Sequence, residues 1–143
     1  MNMHNAHPSI LHTWTIRLKP GDDLKKSIDE IAKDYQIAAG VIITCVGSLM
    51  KATIRFAGEP ETTEINGPLE IVSLTGTLAT TGSHIHISLS DKTGKTIGGH
   101  LKEGNAVYTT AELCIGVLPA LQFTREKDET TGYPELTIKK NQP

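Results

Sequence analysis

Three histidines, His84, His86 and His100, are the residues whose type and spacing best suit chemistry. His84 and His86 alternate with Ile85, Ile87 and Leu89, a period of two that marks a strand with one apolar and one polar face. Both imidazoles fall on the polar face. Asp91-Lys92-Thr93-Gly94-Lys95 reads as a turn, with Gly94 as the left-handed residue of a three-residue loop, and Thr96 to Leu101 returns as the partner strand. With Asp91 opposite Lys95, Ser90 pairs with Thr96, Ser88 with Gly98, and His86 with His100. Directly opposed residues have Cβ atoms about 4.5–5.5 Å apart, and His84 is then a diagonal neighbour at about 7–8 Å. Imidazoles so placed can reach one metal ion at about 2.0–2.1 Å, leaving a fourth position open as in catalytic zinc sites.

The plainer reading of histidines on an exposed strand face is solvation, and a register slip of one residue would turn His100 to the opposite face. Gly98 and Gly99 leave the space beside His100 free of side chains, as the close approach of a ligand or another backbone requires. The expected cofactor is one divalent metal per chain; three imidazoles favour zinc, although nickel, copper and iron accept the same ligands. Such an ion polarises a carbonyl or activates water. Glu112, an acid in mid-strand, is the candidate for proton transfer, against the ordinary reading of a solvent-facing carboxylate. Arg125 is the candidate for binding an anionic group of a substrate through its planar fork, against that of a surface charge. Cys45 and Cys114 lie in apolar runs and read as small buried thiols without a disulfide partner.

The 143 residues, 38% of them hydrophobic, suffice for one domain with a core of its own. A net charge of −2 supplies no basic field for nucleic acid or an anionic membrane. No apolar run approaches the roughly 20 residues of a membrane span, and residues 1–12 lack the basic start and apolar stretch of a signal peptide, so a cytoplasmic protein is expected. Residues 1–12, with His4, His7 and His12, read as a flexible tail that could bind metal adventitiously, and residues 13–140 as a single domain.

Thr13 to Leu18 alternates Trp14, Ile16 and Leu18 against polar residues, a strand with Trp14 in the core. Asp22 and Asp23 offer an acidic N-cap to a helix with Leu24, Ile28, Ile31 and Tyr35 on its apolar face, ending near Gly40. Val41 to Val46 and Leu49 to Phe56 read as two strands separated by a kink at Gly47-Ser48. Ala57 to Pro68 reads as an exposed loop with a short edge strand around residues 63–65, and Glu70 to Leu78 resumes the sheet. After the histidine hairpin, Ala106 to Leu118 alternates again, Ala120 to Arg125 closes the sheet, and residues 126–132 form a charged turn. Asn141, Gln142 and Pro143 read as a tail. The expected fold is α+β: a mainly antiparallel sheet, barrel-like or sandwich, of about seven or eight strands with one principal α-helix.

Six segments in this order resemble the plant and prokaryote conserved (PPC) domain family: residues 18–23 (LKPGDD), 46–49 (VGSL), 69–76 (LEIVSLTG), 84–89 (HIHISL), 98–101 (GGHL) and 110–113 (TAEL). The chain is similar to the prokaryotic stand-alone members, often labelled predicted DNA-binding proteins. The resemblance implies a compact antiparallel fold with one helix, a homotrimer, and a metal, zinc by preference, on the histidines matching His84, His86 and His100. In plant members an AT-hook accompanies the domain, and the segment matching residues 67–72 contacts partner transcription factors. Here no AT-hook is present, and Pro68 and Leu69 stand where a basic and an aromatic residue are expected. Three functions follow: a metal-dependent enzyme or binder of a small molecule; a DNA-binding or transcription-regulatory module, as the family label suggests; or a histidine cluster that only stabilises the trimer. Lys51 with Arg55, and Lys139 with Lys140, are the basic residues a nucleic-acid surface would draw on, but acidic residues interleave throughout.

Overall fold

The structure is a computed structural model, and it describes residues 6–141. His4 and the rest of residues 1–5, with Gln142 and Pro143 at the other end, lie outside the described residues. Among the described residues there are eight strands and one α-helix. In chain order they are β1 (His12–Leu18), α1 (Leu24–Asp34), β2 (Gly40–Arg55), β3 (Thr62–Ala79), β4 (Gly82–Ser90), β5 (Thr96–Leu101), β6 (Val107–Val117), β7 (Leu121–Lys127) and β8 (Pro134–Lys140). The first six strands form an antiparallel sheet ordered β1-β6-β2-β3-β4-β5, and β7 and β8 pair separately. This is the α+β architecture that the alternating patterns predict.

The long strand β2 closes the sheet on itself. One of its edges pairs with β3, whereas the other pairs first with β6 and then, at Ile54 and Arg55, with Leu101 and His100 of β5. The circuit β2-β3-β4-β5 therefore closes as a small barrel, with the outer edge of β5 paired at His100 and Leu101. The core behind the sheet is one cluster that includes Leu49, Ile54, Leu78, Ile85, Leu89, Leu101, Leu113 and Ile115, with Leu24 and Ile28 of the helix packed into it. Each such side chain contributes about 1.5–3 kcal/mol by leaving water. With Ile85 and Ile87 held inside, His84 and His86 must face out.

Asp23 caps the helix as expected, its Oδ1 accepting from the Lys26 amide at 3.1 Å, while its Oδ2 accepts from the amides of Gly104 and Asn105 at 2.6 and 3.0 Å. Asn105 is fully buried; its Oδ1 accepts from the Thr53 amide at 2.9 Å, and its side-chain amide donates to the Lys102 carbonyl. One cap thus ties the helix start to the loop that follows β5.

Several expectations need correction. Trp14 lies in β1 but is 38% exposed, with its ring 4.3 Å from that of Tyr35. β1 is an edge strand, and only its Leu18 end reaches the core. The helix stops at Asp34 rather than near Gly40, and Tyr35 is its C-cap. The two strands read on either side of Gly47-Ser48 are one 16-residue strand, its kink absorbed as bulges in its pairing with β6. Gly47 is required there: its φ is +150°, and a Cβ would lie 2.1 Å from the Thr110 carbonyl oxygen. The loop read over residues 57–68 is shorter, since β3 begins at Thr62 and accommodates Gly67 and Pro68 where its register against β2 shifts. β7 does not close the main sheet. It pairs with β8, and Leu121 and Phe123 form a second small core with Ala39 and Ala79.

Candidate metal centre

The Asp91–Lys95 turn sets the register of the site. The Asp91 amide donates to the Lys95 carbonyl at 3.0 Å, the Gly94 amide to the Asp91 carbonyl at 2.9 Å, and Gly94 has φ +83°. Asp91 Oδ1 also accepts from the Thr93 hydroxyl and amide and the Lys95 amide, which holds its carboxyl below the usual range. The ladder then pairs Ser90 with Thr96, Ser88 with Gly98 and His86 with His100, as the turn chemistry predicts. On the other side of β4, Thr75 faces His86 and Thr77 faces His84.

The three imidazoles converge on the outer face. The Nε2 atoms of His84 and His86 are 3.2 Å apart, and the ring centroids stand 4.8 Å (His84–His100), 5.0 Å (His84–His86) and 5.6 Å (His86–His100) from one another. One nitrogen from each ring can be chosen so that all three lie within 4.8 Å. Nitrogens bound tetrahedrally at about 2.0–2.1 Å are roughly 3.3 Å apart, so one pair already has the spacing and the third ring is within side-chain reach. Burial holds the His84 imidazole below its usual range, helped by the Arg125 guanidinium. Burial, followed by the neighbouring His84, pushes His100 down to about 4. Both are therefore neutral near pH 7, the form that ligates a metal. The donor set fits a borderline divalent ion such as zinc.

Gly98 and Gly99 serve the backbone. A Cβ on Gly98 would lie 2.6 Å from the Ile87 carbonyl oxygen, and one on Gly99 2.7 Å from that of Arg55. Of the two readings left open for these glycines, close approach of strands accounts for them.

Arg125 lies on β7, and its Nη2 donates to the Thr77 hydroxyl at 2.8 Å, which sets it beside His84. Glu112 is elsewhere. It is exposed on β6, paired with Arg17 and Val46, and Val46 is nine positions along β2 from Arg55, the partner of His100. The chain itself does not bring Glu112 to the histidines; its charge bears on Cys45, whose thiol is pushed up to about 11, mainly by burial. Cys45 and Cys114 are both free, Cys45 buried and Cys114 partly so. Arg55 was not singled out for this site by its sequence context. Its place opposite His100 follows from barrel closure, for which the local pattern carries no signal. Of the basic residues that a nucleic-acid surface would use, Lys51 pairs with Glu64 and Lys139 with Glu126, each at 2.6 Å.

The model of the Plants and Prokaryotes Conserved (PCC) domain matches residues 6–119. The chain belongs to this family. It is 40% identical over 131 residues to the bifunctional protein GlmU of a Synechococcus strain, a match that takes in 92% of this chain but 21% of that protein. The chain thus spans about a fifth of the length of the curated relatives it matches. Among solved structures, a hypothetical protein from Salmonella enterica is 40% identical with a TM-score of 0.93, over 98% of this chain and 100% of that one. A metal-containing protein from Archaeoglobus fulgidus is 27% identical with a TM-score of 0.80, over 94% of this chain and 99% of that one.

Proposed function

We propose that this PCC-domain protein holds one divalent metal ion, zinc by preference, on His84, His86 and His100, and uses it to bind a small molecule, as a metal-dependent enzyme or a binding protein. The convergence of three imidazoles from two strands carries this reading. It is supported by the neutral state that burial favours at His84 and His100, and by a relative of the same fold that is a metal-containing protein. When bound, the ion would supply Lewis acidity at an open coordination position. The chain's own part is to hold three neutral imidazoles on a rigid barrel wall and to set Thr75, Thr77, Arg55 and Arg125 around them. Glu112 has no part in this site within one chain.

The reading extends to a cytoplasmic homotrimer. No helix among the described residues is long and apolar enough to cross a membrane. Ile43, Val46, Val72 and Tyr108 are exposed apolar side chains on neighbouring strands, a composition that suits association with further copies. Light scattering should give the mass of three chains; a single-chain mass would contradict the trimer. The metal reading is tested by competing zinc against a chromogenic chelator. Wild type should compete for one equivalent, and His84→Ala, His86→Ala and His100→Ala should each lose it, whereas equal binding by all four proteins would overturn the assignment.

A further inference from the structure

The histidine cluster is flanked by cations. Arg55 is the direct partner of His100 on the β2 side, and Arg125 reaches Thr77, the partner of His84, on the β3 side. Among the described residues neither guanidinium has a carboxylate within 4.0 Å. Each spends few of its donors on the protein: Arg125 bonds the Thr77 hydroxyl, and Arg55 Nη1 donates to the Glu59 carbonyl at 3.2 Å. A guanidinium carries five N–H groups, so each keeps a free edge. Lys102 adds positive charge near His100, and Glu135 is the acid that acts on His84.

Three neutral imidazoles leave the full double charge of a divalent ion uncompensated, and the two arginines add to it. Such a centre favours an anionic ligand, and a planar guanidinium matches the geometry of a carboxylate or phosphate. Arg125 lies beyond residues 6–119, in a hairpin held to the barrel by Leu121, Phe123 and Leu136 against Ala39 and Ala79. That hairpin, outside the part of the chain that the family model matches, supplies one wall of the site.

We propose that Arg125 and Arg55 form an anion clamp across the His84–His86–His100 cluster, so that the ligand of this centre is a small oxyanion-bearing molecule, a carboxylate or a phosphate, touching metal and guanidinium together. This rests on the metal reading above. The test uses the whole chain loaded with cobalt(II), whose visible absorption reports the metal's surroundings, titrated with malonate, with inorganic phosphate, and with malonamide as the neutral isostere. Malonate or phosphate should shift the spectrum saturably, and malonamide should not; the tighter of the two anions identifies the oxyanion. Arg125→Ala and Arg55→Ala should each weaken that binding by about tenfold, the loss of one charge-assisted contact, while cobalt is held at least as tightly as in wild type. Arg125→Lys, which keeps the charge but not the fork, should recover part of it. Cobalt bound normally, with anions silent or equally well bound by Arg125→Ala, overturns the clamp and leaves the metal site standing. Failure of the wild type to bind cobalt at all overturns both.

Discussion

His86 and His100 are direct cross-strand partners in the β4–β5 ladder, with ring centroids 5.6 Å apart. The turn between the strands sets that pairing through register, and the buried Ile85, Ile87 and Leu101 beside the histidines hold the rings on the outer face. Because side chains alternate with a period of two, the same turn decides which face receives His100.

Gly94 is the conformational key of that turn. Its φ is +83°, yet nothing lies within 4 Å of where its Cβ would be, so the cost of a side chain there is purely one of backbone. Gly94→Ala should lower stability by about 1 kcal/mol in urea unfolding. A neutral or stabilising result would show that the turn does not depend on the left-handed residue.

The shifts at His84 and His100 give metal-free protein a defined acid sensitivity. Both imidazoles have folded pKa values below the unfolded value of about 6.5, so in mildly acid solution the unfolded chain binds protons that the folded one refuses. Stability should fall as pH drops below about 6.5 and go on falling toward the value of about 4 for His100. Thermal melts in the presence of a chelator should show a shallower decline for His100→Gln than for wild type. Parallel curves would contradict the burial of a neutral imidazole at that position.

Cys45 shows the opposite sign. Its thiol is raised from 9.0 to about 11, mainly by burial, so the unfolded chain loses that proton first and stability should fall as pH rises through this range. At pH 8 the folded protein should leave Cys45 unmodified by iodoacetamide while Cys114, only partly buried, reacts faster. Mass mapping of the two cysteines checks the order, and faster labelling of Cys45 would contradict it.

The histidine hairpin was legible in the sequence because its determinants are local: alternation fixes which residues share a face, and Asp91 with Gly94 fixes the loop. The helix cap at Asp23 was legible for the same reason. What escaped depends on distant parts of the chain. The pattern predicts two strands where β2 is continuous, because a bulge against β6 absorbs the irregularity at Gly47. Trp14 shows the inward alternation of a core residue but lies where an edge strand outruns the core, so it packs on Tyr35 instead. Arg55 comes to the site only because β2 meets β5 at the barrel seam. Glu112 has the chemistry of a proton carrier and no way, within one chain, to reach the histidines.

Metal content per chain, measured by elemental analysis on untagged protein with His4, His7 and His12 replaced by Gln, tests the central claim most directly. The replacements remove binding by the N-terminal histidines while leaving His84, His86 and His100 intact. The expected result is about one zinc or similar divalent ion per chain, lost in the same protein carrying His86→Ala. No metal in either protein, or equal metal in both, would contradict the three-histidine centre.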